Sequence, residues 1–225
     1  MKVIGIGLNK TGTKTLGRHL KNFGLKHKTY DLEAFEAYRR GEIDALLDMM
    51  EDYDSFEDWP WPLMYREIDA RFPDAKFVLT VRRSPDVWYR SLCHMAVRIG
   101  PLDEFEQYIY GYAMPQGHRA EHVRFYERHN AAVEAHFADR PGKLLRLCWG
   151  AGDDAQDLAD FLGIEDAPEL PALHVNRSEN WVYTGPNRVL AELNRWAYQS
   201  GWVYEGLGKA KRGLNKVSRL VRGRS

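Results

Sequence analysis

The chain has 225 residues, of which 44% are hydrophobic and 28% charged, the balance of an ordinary soluble globular protein. The 32 basic and 32 acidic residues cancel, so the net charge gives no reason to expect binding to nucleic acid. Two cysteines, Cys93 and Cys148, belong to no CxxC or Cys/His cluster, which argues against a metal or redox centre. No apolar run is long enough to span a bilayer and the chain opens on a strand, so we expect a cytoplasmic protein.

The apolar pattern of the first part of the chain predicts strands that alternate with helices. In chain order we predict a strand at residues 2–7, a loop at 8–12, a helix closed by Gly24, a strand at 26–30, two short helices within 31–50, an ordered loop at 52–62, a helix ended by Pro73 and a strand at 76–81.

The second part continues the alternation. We predict a helix that starts at Ser84-Pro85, two helices within residues 103–139, a strand at 144–148, a helix at 153–162 ended by Gly163, and final helices at 186–199 and 209–221. Strands that alternate with helices indicate an α/β fold, with a parallel sheet that helices cover on both faces.

The strongest local signal is the loop Gly7-Leu8-Asn9-Lys10-Thr11-Gly12-Thr13-Lys14-Thr15, between a predicted strand and a predicted helix. Backbone N–H groups at a helix start can point toward a bound anion, and the lysine and threonines add charge and donors. A dinucleotide fingerprint would need glycine at position 10, and a Walker A loop would need lysine at position 13. A P-loop kinase also needs an acidic residue near a strand end for magnesium, whereas the clearest later strand ends in Arg82-Arg83.

The segment Lys10-Thr11-Gly12-Thr13-Lys14-Thr15-Leu16 resembles the phosphosulfate-binding loop, K-[ST]-G-T-[TS], of sulfotransferases that use 3'-phosphoadenosine 5'-phosphosulfate (PAPS). Lys14 departs from this pattern, since the family commonly has a small hydroxyl residue there. A second family motif is a strand that ends in arginine, followed by a helical serine eight residues later. Arg83 and Ser91 have that spacing, with Arg82 as a rival one residue out of register.

Other segments are similar to a bacterial branch of this family, and the resemblance runs from residue 1 to about residue 180. These segments are Trp59-Pro60-Trp61-Pro62-Leu63-Met64-Tyr65-Arg66-Glu67, Trp88-Tyr89-Arg90-Ser91 and His174-Val175-Asn176-Arg177. The resemblance implies a three-layer fold like that of P-loop NTPases. We divide the chain into a sulfotransferase-like domain, residues 1–205, and a basic C-terminal helical extension, residues 206–225.

The resemblance also implies roles for the motif residues. Lys10 would neutralise charge on the leaving 5'-phosphate of PAP, and Arg83 and Ser91 would select a donor with a 3'-phosphate. Arg177 would help to hold phosphate, and no metal would be required. The residues that would cradle the 5'-phosphosulfate are Thr11, Gly12, Thr13, Lys14 and Thr15.

The acceptor, a hydroxyl or amine, must lose a proton, and family members commonly use a base on the segment before the arginine strand. Asp58 occupies a comparable position, and Asp54 and Asp31 remain alternatives. The resemblance implies a small molecule, a glycan or a lipid as the acceptor, and a peptide remains an alternative. A small-molecule kinase that uses ATP, and a non-catalytic nucleotide-binding adaptor, remain alternative functions.

Residues after Glu205 include seven basic and no acidic side chains. Three interpretations of this tail remain open: a solvated helix, a basic segment that closes over the 3'-phosphate, or a helix that docks on an anionic membrane surface.

Overall fold

The computed structural model describes residues 1–99, 104–112 and 114–164. These residues form two compact units, one of residues 1–88 and 124–164 and one of residues 89–99, 104–112 and 114–123. The first unit contains the sheet and residues 7–15, the predicted phosphate loop. In the second unit His122 is buried and its ring lies near those of Tyr89, Tyr110 and Tyr112.

The sheet of the first unit has five strands in the order β2-β3-β1-β4-β5, and every pair of neighbours is parallel. The strands are β1 Val3–Gly5, β2 His27–Lys28, β3 Ser55–Phe56, β4 Lys76–Thr80 and β5 Leu144–Leu147. The predicted parallel α/β fold is therefore confirmed.

Eight α-helices lie within the described ranges. They are α1 Thr13–Asn22, α2 Leu32–Arg39, α3 Ile43–Met49, α4 Tyr65–Arg71, α5 Pro85–Ile99, α6 Glu104–Tyr110, α7 Arg119–Phe137 and α8 Ala155–Leu162. Side-chain caps stabilise several helix starts, including the one predicted at Ser84. The Ser84 hydroxyl accepts the Val87 N–H at the start of α5 (3.3 Å), and Asp154 forms a capping box with Asp157 on α8.

Two apolar layers cover the sheet because alternate residues of its strands point to opposite faces. On one face, Ile4 and Phe77 pack with residues of α2, α3, α4 and α7. On the other face, Val3 and Val78 pack with residues of α1 and α8, such as Leu16 and Leu158. The sheet is thus buried on both sides, which confirms the predicted three-layer architecture.

The predicted loop at residues 52–62 is wrong in one respect, because it contains strand β3. Ser55 and Phe56 are fully buried and pair with β1 on one side and with β2 on the other. A strand of two residues is too short to show a period, so only its neighbours in the sheet define it. This correction matters for function, because β3 ends immediately before Glu57 and Asp58.

The predicted helices at 186–199 and 209–221, the extension from residue 206 and Arg177 lie outside the described residues. Within the described ranges, no helix is both long and apolar enough to cross a membrane.

Candidate active site

The phosphate-loop motif connects β1 to α1. Gly12 is the residue before the first turn of α1, and its φ of 108° is one that glycine adopts readily. The Gly12 carbonyl accepts the N–H groups of Thr15 (3.0 Å) and Leu16 (3.1 Å), which closes that first turn. Lys10 also has a positive φ, 69°, which is uncommon for a residue with a side chain.

The loop threonines are buried, whereas the two lysines are more accessible. Thr11, Thr13 and Thr15 are each at most 6% exposed, Lys10 is partly exposed and Lys14 is exposed. A loop that buries its hydroxyls and leaves its ammonium groups accessible presents positive charge at its outer surface.

Contacts with β4 fix the base of the loop. The Thr11 hydroxyl donates to the Leu8 carbonyl (2.6 Å) and lies 2.6 Å from the Thr80 hydroxyl. Gly7 lies so close to Thr80 that a Cβ at position 7 would be 2.1 Å from the threonine Oγ1. The loop and the end of β4 therefore form one closely packed element.

Trp149, which follows β5, covers the other end of the loop. A Cβ at Gly12 would lie 2.4 Å from Trp149 Cδ1, and the indole ring stacks on the ring of His19 with centroids 5.3 Å apart. Burial lowers the pKa of His19, followed by the effect of the Arg18 charge. The stacked rings of Trp149 and His19 therefore pack together at α1, with Trp149 against its N-terminal end.

The two arginines after β4 have different surroundings. Arg82 Nε donates to the Lys10 carbonyl (2.6 Å), so its side chain is bonded to the loop backbone. Arg83 is exposed. Ser91, on α5 in the second unit, is 6% exposed, and its hydroxyl has no hydrogen-bond partner among the described residues.

Asp58 lies directly after β3 and is near the loop lysines. Its φ is 70°, and its carboxylate accepts the Trp59 N–H (3.0 Å). Burial, followed by the charge of Glu57, raises the pKa of Asp58 to about 7, while the charges of Lys14 and Lys10 act in the opposite direction. The structure therefore brings this carboxylate within electrostatic range of the phosphate loop.

The comparison with known proteins agrees with this arrangement. Residues 2–181 match the family described as "Sulfotransferase domain". The chain belongs to the sulfotransferase family. It is also 28% identical over 116 residues to "Ava biosynthesis cluster protein M" of Aspergillus versicolor. That alignment spans 44% of this chain and 44% of the fungal protein, less than half of either.

The two carboxylates that the sequence leaves as alternatives to Asp58 have other partners. Asp31 caps α2 by accepting the Ala34 N–H (3.0 Å) and forms an ion pair with Lys28 (2.6 Å). Burial raises the pKa of Asp31, but hydrogen bonds, foremost that from Lys28, outweigh burial and lower it. Asp54 is exposed and accepts the Lys26 N–H (2.8 Å).

Glu57 is a buried carboxylate beside Asp58 that was not predicted from the sequence. It is 2% exposed, accepts a hydrogen bond from the Thr29 hydroxyl and lies 3.7 Å from His27 Nε2, while its Oε2 has no hydrogen-bond partner among the described residues. Two glycines make room for it: a Cβ at Gly5 or Gly17 would lie 3.0 or 3.1 Å from its side chain. A glycine in the middle of α1 was the sequence signal that a side chain approaches the helix there.

The sequence predicts no metal centre. In the part of the chain that the structure describes, no group of three or more His, Cys, Asp or Glu side chains is arranged to hold a metal ion.

Proposed function

We propose that this sulfotransferase transfers a sulfuryl group from PAPS to a hydroxyl or amine acceptor and releases PAP. The observation that supports this most is the placement of the Asp58 carboxylate near Lys10 and Lys14 at the start of α1. A base and an anion-binding loop at one edge of a sheet are what an in-line transfer between a neutral acceptor and an anionic donor requires.

In the proposed reaction, the acceptor oxygen or nitrogen attacks the sulfur atom while the bond between sulfur and the bridging phosphate oxygen breaks. Asp58 takes the acceptor proton, and the electron pair of the broken bond stays on the 5'-phosphate of PAP. Lys10 stabilises the charge that develops on that bridging oxygen. The segment from Thr11 to Thr15 holds the phosphosulfate, and its donors are the N–H groups of Gly12, Thr13 and Lys14 and the hydroxyls of Thr13 and Thr15. The Thr11 hydroxyl and N–H already donate to the Leu8 carbonyl, so Thr11 contributes through the shape of the loop.

Donor selection is assigned to Arg83 and Ser91, with Arg177 as a further phosphate ligand. Arg83 is exposed, and the buried Ser91 hydroxyl has no hydrogen-bond partner among the described residues, so both are candidate donors to a phosphate oxygen. A hydrogen bond to a charged group contributes about 1.5–3 kcal/mol, which corresponds to an affinity change of about tenfold to over a hundredfold.

One observation favours the alternative, a P-loop kinase. The sequence argument against it relied on the basic end of β4, but β3 is also adjacent to β1 and ends at Glu57 and Asp58. Acidic side chains at such a strand end are the kind that hold Mg²⁺ in kinases. Family membership favours the sulfotransferase, and the metal dependence of nucleotide binding separates the two reactions.

Calorimetric titration tests the proposal. We expect PAP to bind without metal and more tightly than ATP with magnesium. Arg83→Ala and Ser91→Ala should weaken PAP binding about tenfold or more and leave binding of adenosine 5'-monophosphate, which has no 3'-phosphate, nearly unchanged. Stronger magnesium-dependent binding of ATP would instead support the kinase.

The acceptor side is tested by single-turnover measurements. Asp58→Asn keeps the size of the side chain and removes the base, so it should lower turnover about 100-fold to 10,000-fold with PAP affinity little changed. Asp54→Asn is the matched control. A variant at Asp58 that turns over at the native rate would mean that the base lies elsewhere.

The acceptor class, a small molecule, a glycan or a lipid, stays part of the proposal, as does a cytoplasmic location. The basic extension from residue 206 is proposed as an appendage of the transferase domain, with a membrane surface as its alternative partner.

A further inference from the structure

Two consecutive carbonyl groups in the middle of the phosphate loop are held by side chains from outside the loop. Trp88 Nε1 donates to the Asn9 carbonyl (2.9 Å), and Arg82 Nε donates to the Lys10 carbonyl (2.6 Å). Both donors follow β4, in the connection to α5 and in its first turn. The loop backbone therefore depends on β4–α5 for its conformation.

The bond to Lys10 acts on a residue in an unfavourable conformation. A φ of 69° is in the left-handed region, which is unfavourable for a residue with a side chain. Such a conformation persists only when the surrounding structure imposes it. A hydrogen bond from a charged group is stronger than one between neutral groups, so the Arg82 bond favours the Lys10 conformation that the loop requires.

The donors themselves are fixed by α7. The Arg82 backbone N–H donates to the Tyr126 hydroxyl (3.0 Å), and the Tyr126 ring stacks on Trp88 with centroids 4.7 Å apart and an angle of 21° between the rings. Trp88 is fully buried and Tyr126 is 3% exposed. Arg82 is thus anchored through its backbone, so its guanidinium can act on the loop as a rigid support.

We propose that Arg82 is a positioning residue, which holds the Lys10 peptide so that the lysine side chain meets the donor, and that it is not the ligand of the 3'-phosphate. The inference rests on the proposed sulfuryl transfer. A trans peptide is planar, so fixing the Lys10 carbonyl also fixes the plane that joins it to Thr11. The side chain of Lys10 starts from a backbone whose orientation Arg82 determines, while Arg83 is the exposed neighbour left to bind phosphate.

The first test uses the protein without donor or acceptor. Amide hydrogen exchange across residues 8–12 should be about tenfold faster in Arg82→Gln, the change expected when about 1.4 kcal/mol of local stability is lost. Arg83→Gln removes the same charge one residue along and should leave the exchange unchanged. If Arg82→Gln does not fold, Trp88→Phe removes one indole donor, keeps a buried aromatic ring and should accelerate exchange of the same segment. Unchanged exchange in folded Arg82→Gln, or in Trp88→Phe where that variant must replace it, would overturn the proposal.

The second test separates positioning from phosphate binding. With PAPS as donor and water as acceptor, Arg82→Gln should lower the single-turnover rate about 10-fold to 100-fold and keep the preference for PAP over adenosine 5'-monophosphate. Arg83→Gln should lose that preference. On a Lys10→Ala background, Arg82→Gln should add little further loss of rate, because the residue acts through Lys10.

The outcomes distinguish this inference from the proposed function. If the native protein neither binds PAP nor consumes PAPS, the sulfuryl-transfer proposal fails, and the exchange measurement alone decides whether Arg82 supports the loop. If the native protein is active but Arg82→Gln loses the preference for PAP, Arg82 is the phosphate ligand and the positioning role is wrong.

Discussion

The Asp58 carboxylate should reduce the stability of the fold as the pH rises. Burial, followed by the charge of Glu57, raises the pKa of Asp58 from 3.8 to about 7. A folded state that binds a proton more tightly than the unfolded chain is stabilised by it. That stabilisation is fully present below the unfolded pKa of 3.8 and is lost as the pH rises through about 7.

Linkage gives the size of the effect. For one group with these two pKa values, the free energy of unfolding should fall by about 2–3 kcal/mol between pH 5 and pH 8. The amide that replaces the carboxylate in Asp58→Asn cannot ionise, and asparagine tolerates a φ of 70° better than most residues. Relative to the native protein, Asp58→Asn should therefore gain about 2–3 kcal/mol more stability at pH 8 than at pH 5.

Urea unfolding of both proteins at pH 5, 6, 7 and 8 measures this difference and needs no acceptor. Glu57→Gln removes the neighbouring charge, so it should reduce the pH dependence that Asp58 confers. Asp54→Asn, at an exposed carboxylate of the same segment, is the matched control. If Asp58→Asn shows the same stability difference from the native protein at both pH values, the carboxylate is not desolvated and the reasoning about its environment is refuted.

Three further predictions concern stability and the tail. Asp69 is buried, and hydrogen bonds from its basic partners outweigh burial and lower its pKa. Asp69→Asn should therefore reduce the free energy of unfolding by about 1.5–3 kcal/mol at pH 7. This loss should become smaller as the pH falls below the ordinary pKa range of an aspartate. Gly12→Ala should destabilise the protein by about 1–3 kcal/mol more than Gly152→Ala in thermal unfolding, because both glycines have positive φ but only Gly12 lies against Trp149. Truncation after Gly206 should leave a folded protein with native PAP affinity by calorimetry. Lost affinity would place the tail in the donor site. Vesicle binding at low salt that truncation abolishes would support the membrane alternative.

The elements with a strong pattern were predictable from the sequence. β4 follows from its run of β-branched and aromatic residues, and the end of α8 follows from Gly163. The phosphate loop is recognisable because its residues are contiguous. The role of Arg82 was not predictable, since nothing in the chain indicates that its side chain reaches a carbonyl of residue 10, 72 positions earlier.

The acidic side of the site was only half predictable, for a reason of topology. Asp58 stood out beside two tryptophans, but Glu57 and its closeness to α1 depend on β3, which has no pattern of its own. In a parallel sheet the carboxyl ends of all strands meet at one edge, so a short strand places its following residues as firmly as a long one. A strand of two residues can therefore position residues of a site even though the local sequence has no pattern that predicts the strand.

The strand order also favours one orientation of donor and acceptor in the proposed site. β1, which leads into the phosphate loop, lies between β3 and β4. The carboxylates Glu57 and Asp58 follow β3, and the cations Arg82 and Arg83 follow β4. An in-line displacement needs its attacking and leaving groups on opposite sides of the sulfur atom. In the proposed reaction, the acceptor therefore approaches from the β3 side, where a base can take its proton, and the nucleotide extends toward β4, where cations can hold its phosphates. Reversing the two sides would set an anionic donor against Glu57 and Asp58, so the charges at the strand ends favour one orientation of the donor over the other.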